Sequence, residues 1–139
     1  MEHRRRAAAR TRRSIVCRET MRHMERLRNE LGSDLPKLGE TQNNPDPLAR
    51  VRFYEVRVGW VWYVIEYDGS DTAFGYVVGF ESEFGCFNLS ELESIHWPFG
   101  PGVRCDHSFT PTRVKDVVDH EALRALNSHP RRWREVGES

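Results

Sequence analysis

Residues 60–67 read Trp-Val-Trp-Tyr-Val-Ile-Glu-Tyr, a run of aromatic and β-branched side chains that favours extended backbone. Alternation puts Trp60, Trp62 and Val64 on one face and Val61, Tyr63, Ile65 and Tyr67 on the other. Both faces are apolar, which places this strand at the centre of a sheet. Its neighbours follow at short spacing. Arg50–Val56 alternates around Val51 and Phe53. The cluster Asp68-Gly69-Ser70-Asp71 is a turn into a strand over Thr72–Phe80. Gly75 and Gly79 fall on one face of that strand and predict a bulge or a large aromatic neighbour over the gap. Glu81-Ser82-Glu83 turns the chain into a strand over Phe84–Leu89, and Val103–Phe109 reads as a fifth. Connections this short favour an antiparallel meander.

Two amphipathic helices flank the strands. Cys17, Met21, Met24, Leu27 (or Arg28) and Leu31 recur at steps of three and four and predict a helix from about Ser14 to Leu31, stopped by Gly32. Val114, Val117, Val118, Ala122 (or Leu123), Ala125 and Leu126 predict another over Pro111–Leu126. Residues 32–49, with Pro36, Gly39, Pro45 and Pro47, read as a loop. Ser90 with Glu93 three residues on reads as a capping box. The expected class is α+β: an antiparallel meander sheet of four to five strands packed by an N-terminal and a C-terminal helix. The expected organisation is a basic flexible arm (1–13), one domain (14–128) and a basic tail (129–139).

The net charge is zero, yet the charges are segregated. Residues 1–28 hold ten Arg against three Glu, and residues 29–139 hold eleven Lys and Arg against eighteen Asp and Glu. No Lys or Arg occurs from Val58 to Val103, where seven carboxylates lie. A basic arm on an acidic body suits an anionic partner for the arm, such as DNA or RNA, or a basic protein for the body. Cys17, Cys86 and Cys105 are an odd number without CxxC spacing, so a disulfide framework is not expected and a reducing cytoplasm is. No apolar run is long enough to span a bilayer, so no membrane partner is expected. The arginine-rich start also resembles an organellar transit peptide in composition.

Leu35-Pro36-Lys37-Leu38, Trp60-x-Trp62-Tyr63-x-x-Glu66, Phe74-Gly75-x-Val77-x-Gly79 and Glu83-x-Gly85-x-Phe87-x-Leu89-x-Glu91-Leu92-Glu93 together resemble the bacterial domain-of-unknown-function family 2958 over about residues 27–118. The resemblance implies an origin on plasmids and integrative elements, near DNA-processing and anti-defence genes, and assigns no catalytic residue. Members often carry Arg-Asp followed by two residues and Phe. Here Cys105 separates Arg104 from Asp106.

Three groups of residues carry the functional expectations. Arg4, Arg5, Arg6, Arg10, Arg12, Arg13, Arg18 and Arg22 suit phosphate contacts with nucleic acid. Glu66, Asp68, Asp71, Glu81 and Glu83 form the expected interaction face, while Glu91 and Glu93 favour a helix start. Glu66 shares the face of Trp62 and Val64, and if buried needs a partner such as Arg52 or Arg104. The aromatics Trp60, Trp62, Tyr63, Tyr67, Phe74 and Tyr76 lack the basic neighbours of a base-stacking platform and read as core. Cys105 and His107 share a strand face, and Cys86 or His96 could complete a ligand set with them. No CxxC or HxxxH supports such a set, so neither metal nor cofactor is expected. The reading is a non-enzymatic accessory or interaction protein of mobile-element type. The alternatives are a small metal-dependent hydrolase using clustered carboxylates and an anti-defence inhibitor that mimics nucleic acid.

Overall fold

The computed structural model describes residues 25–128. The arm, the tail and the predicted first helix before residue 25 lie outside the described residues. The protein is α+β. Four strands run as the expected antiparallel meander: β2 (Val51–Glu55), β3 (Val61–Tyr67), β4 (Thr72–Val78) and β5 (Ser82–Asn88). The fifth strand, β8 (Val103–Cys105), joins the opposite edge beside β2, so the order is β5-β4-β3-β2-β8. β3 occupies the centre and is buried along its whole length, as its two apolar faces require.

Each face of the sheet carries its own cover. On one side Phe53, Trp62, Val64, Tyr67 and Ala73 pack against Leu27 and Leu31 of the N-terminal segment and against Leu89 and Leu92 of a short helix, α1 (Leu89–Glu93). On the other side Val61, Tyr63, Ile65 and Tyr76 pack against Val114 and Val117 of helix α2 (Val114–Ser128). The described end of the N-terminal segment is a 3-10 turn, Arg28–Glu30, and Gly32 stops it at φ 67°, in the left-handed region glycine tolerates.

Three local expectations change. The capping box does not form: Asn88 is the N-cap of α1. The Ser90 hydroxyl donates to Asp71 (2.9 Å), and the Glu93 carboxylate accepts from the backbone N–H groups of Leu27 (3.0 Å) and Arg28 (3.2 Å). Long-range partners outcompete the local pair because Glu93 is buried and needs full satisfaction. Helix α2 buries only its first turns. Leu123 and Leu126 are exposed, while the buried position after Val117 and Val118 belongs to Glu121. Finally, the loop and the Trp97 region hold short pairs that alternation is too brief to reveal. β1 (Leu48–Ala49) pairs with β9 (Thr112–Arg113), and β6 (His96–Trp97) pairs with β7 (Gly100–Pro101).

Candidate functional site

The register between β3 and β4 shifts between Val64 and Glu66, leaving Ile65 as the extra residue of a β-bulge. Gly75 sits opposite Val64 at this point. A Cβ on Gly75 would lie 1.7 Å from the Tyr63 carbonyl oxygen, so only glycine lets β4 approach the bulged strand. Gly79 answers the second expectation: the Trp60 ring lies over it, 2.9 Å from where a Cβ would stand.

The bulge decides where Glu66 points. Without it, Glu66 would share the face of Trp62 and Val64. With it, Ile65 and Glu66 both turn toward the side covered by α2, and Tyr67 joins the opposite core. Neither Arg52 nor Arg104 pairs with Glu66, which corrects the sequence expectation. The carboxylate instead accepts from the backbone N–H groups of Gly39 (2.8 Å) and Thr41 (2.9 Å) and from the Thr41 hydroxyl. Burial works to raise the Glu66 carboxyl, and the Thr41 hydroxyl and the two N–H donors outweigh it, leaving the carboxyl below the ordinary glutamate range. Glu66 therefore holds the loop before β2 against the sheet.

That loop becomes one wall of a groove of about 520 Å³. Its floor is Ile65, Phe74 and Val114, and its far wall is Phe84 and Cys86 of β5. Phe84 lies against Phe74 and Tyr76 (ring centroids 6.4 and 5.0 Å) and is still 48% exposed. β5 pairs only with β4 among the described residues, so the N–H and C=O groups of its outer edge face away from the sheet. Glu81 and Glu83 stand exposed beside it, and Phe80 is 96% exposed at its start.

The stability of the groove wall depends on pH. The fold favours the charged form of Glu66, so its contribution is complete above the ordinary glutamate pKa of about 4.3 and is lost as pH falls through the lower folded value. Urea unfolding at about pH 6 should show Glu66→Gln less stable than the parent by roughly 1–3 kcal/mol, with the gap narrowing at about pH 3. A gap that stays constant would mean that the charge does not hold the loop.

The other acidic residues of the expected face are dispersed. Asp68 accepts the N–H groups of Ser70, Asp71 and Thr72 (2.8, 2.9 and 3.1 Å) and shapes the β3–β4 turn, while Asp71 engages Ser90. Glu66 is buried and satisfied. Only Glu81 and Glu83 present free-standing exposed side chains at a common edge. Among the described residues these carboxylates form no ligand group with a common centre. The arginines Arg4, Arg5, Arg6, Arg10, Arg12, Arg13, Arg18 and Arg22 lie outside the described residues. Trp62, Tyr63, Tyr67 and Tyr76 are buried in the two cores.

A second polar constellation lies at the other end of the α2 face. Tyr63 donates its hydroxyl proton to Glu121, Arg52 Nε donates to the Tyr63 oxygen (3.3 Å), and Arg52 Nη1 meets Asp106 at 3.1 Å. Burial, reinforced by the Glu121 carboxylate, pushes the Tyr63 hydroxyl up to about 12. Asp106 and Phe109, the Asp-x-x-Phe remnant beyond the intervening Cys105, both face this network. Its hydrogen bonds cross-link β2, β3 and α2, a structural task for which sequence spacing offers no signal.

A family model described as "Protein of unknown function (DUF2958)" matches residues 18–124. No curated protein and no solved structure matches the chain. The chain belongs to the DUF2958 family.

Proposed function

We propose that this DUF2958 member is a non-enzymatic interaction protein, of the accessory kind carried on mobile elements, that takes an extended basic segment of a partner protein along β5. The observation that carries this reading is a seven-residue edge strand whose outer edge no other element pairs with among the described residues, beside an apolar groove. Natural sheets protect such edges with lysine, proline or a covering element. β5 contains neither Lys nor Pro, no Lys or Arg occurs anywhere from Val58 to Val103, and Phe80 and Phe84 are exposed. An added strand would gain main-chain hydrogen bonds from the edge and place alternate side chains over the groove between Phe84, Cys86 and the loop wall. Glu81 and Glu83 supply the charge complement for arginine or lysine at the intervening positions.

The arm supports a second reading. Residues 1–24 hold eight Arg against two Glu, enough for salt-dependent, sequence-independent contact with phosphates.

One anisotropy experiment separates the two. The probes are a labelled alternating Arg-Val peptide, its Glu-Val counterpart, and a labelled DNA duplex and RNA strand. The full chain is expected to bind the Arg-Val peptide and not the Glu-Val peptide. The double variant Glu81→Lys/Glu83→Lys, altered only at exposed positions, is expected to lose that binding. Undiminished peptide binding by the double variant overturns the edge-strand reading. So does a chain that binds only nucleic acid, steeply with salt, and loses it when residues 1–13 are deleted. That last result would establish the arm as the working surface.

A further inference from the structure

We propose that Glu30, Cys105 and His107 form a divalent-metal site of the zinc type, joining the N-terminal segment to the β8 edge of the sheet. The site is independent of the β5 groove.

The geometry begins with the strand. Cys105 ends β8 and packs against the core that holds Leu27 and Leu31, and His107 lies in the turn directly after the strand. Asp106 between them reaches Arg52. The 3-10 turn Arg28–Glu30, anchored by Leu27 and Leu31 in the core, brings Glu30 against Cys105 and His107. One ligand atom from each of Glu30, Cys105 and His107 lies within 4.8 Å of the other two. His107 Nε2 stands 3.0 Å from Glu30 Oε1.

These are the donors zinc prefers: one sulfur, one imidazole nitrogen and one carboxylate oxygen. Bonds of about 2.0–2.3 Å in a tetrahedron put ligand atoms roughly 3.3–3.8 Å apart. The His107 and Glu30 side chains, 73% and 38% exposed, have the freedom to close to that spacing. Three protein ligands leave a fourth position for water. A dication bound here would pair with the Glu30 carboxylate and displace the Cys105 thiol proton to solvent.

The test uses the full chain and Co²⁺ as a spectroscopic stand-in for Zn²⁺. The wild-type chain should bind one Co²⁺ and develop the near-ultraviolet absorption of a cobalt–thiolate bond, with Zn²⁺ bleaching it. Cys105→Ser should abolish the band, His107→Ala and Glu30→Gln should weaken Co²⁺ binding at least about tenfold, and Cys86→Ser and Cys17→Ser should leave it unchanged. Zn²⁺ should raise the melting temperature of the wild-type chain and not of His107→Ala, a surface variant expected to fold normally. The proposal fails if the band is absent in the wild-type chain, persists in Cys105→Ser, or disappears in Cys86→Ser or Cys17→Ser.

Discussion

Gly75→Ala is expected to leave most of the protein unfolded. A methyl group there would meet the Tyr63 carbonyl oxygen at 1.7 Å and its carbon at 2.8 Å. The obstacle is the backbone of the central strand, which cannot swing aside as a side chain can. Relief requires pulling β4 away from β3, or undoing the bulge and turning Glu66 and Tyr67 each to the wrong face. Turning them would bury a carboxylate without its loop donors and expose an aromatic ring. A loss above about 4 kcal/mol is expected, close to the whole stability of many domains this size. Gly85, the direct cross-strand partner of Gly75, is the control. A Cβ there meets nothing within 4 Å, so Gly85→Ala should shift stability by less than about 1 kcal/mol. Circular-dichroism melts of the two variants decide the matter. If Gly75→Ala melts near the parent, the bulge is not what positions Glu66.

Removal of the Glu93 carboxylate should have the second largest effect. Glu93 is 3% exposed and accepts three donors: the N–H groups of Leu27 and Arg28, and Arg28 Nε at 2.9 Å. Glu93→Ala leaves two amides and a guanidinium without their acceptor at the point where the N-terminal segment crosses α1. About 3 kcal/mol of destabilisation is expected, since hydrogen bonds to a charged group are stronger than neutral ones and the orphaned donors carry a desolvation cost. The loss should be local first: hydrogen exchange at residues 25–31 should accelerate more than exchange in β3, because Leu27 and Leu31 lose their clamp. A change within about 0.5 kcal/mol in urea titration, with residues 25–31 still protected, would show that apolar packing alone holds the segment.

Both residues lie where sequence reasoning worked in part. The glycines at 75 and 79 signalled a bulge or an aromatic cover, and the structure supplies one of each. Glu93 was visible only as a capping residue, because its partners lie 65 and 66 positions away. The same limit applies to Glu66. Alternation put it on the Trp62 face, and a single extra residue at Ile65 reversed the parity. Helix α2 illustrates the converse. Its apolar stripe continues to Leu126 in the sequence, but the inward position after Val118 goes to Glu121, which accepts a hydrogen bond from Tyr63, while Leu123 and Leu126 face solvent.

The order of the meander, the central place of β3 and the charge segregation were written in local patterns: alternation, turn residues and composition act over a few positions and survive any tertiary arrangement. The groove, the Glu66 anchor and the meeting of Glu30 with Cys105 and His107 were decided by the tertiary structure alone. Each depends on a register shift or on a contact between segments far apart in the chain, and no periodicity along one strand or helix encodes a distance between two of them.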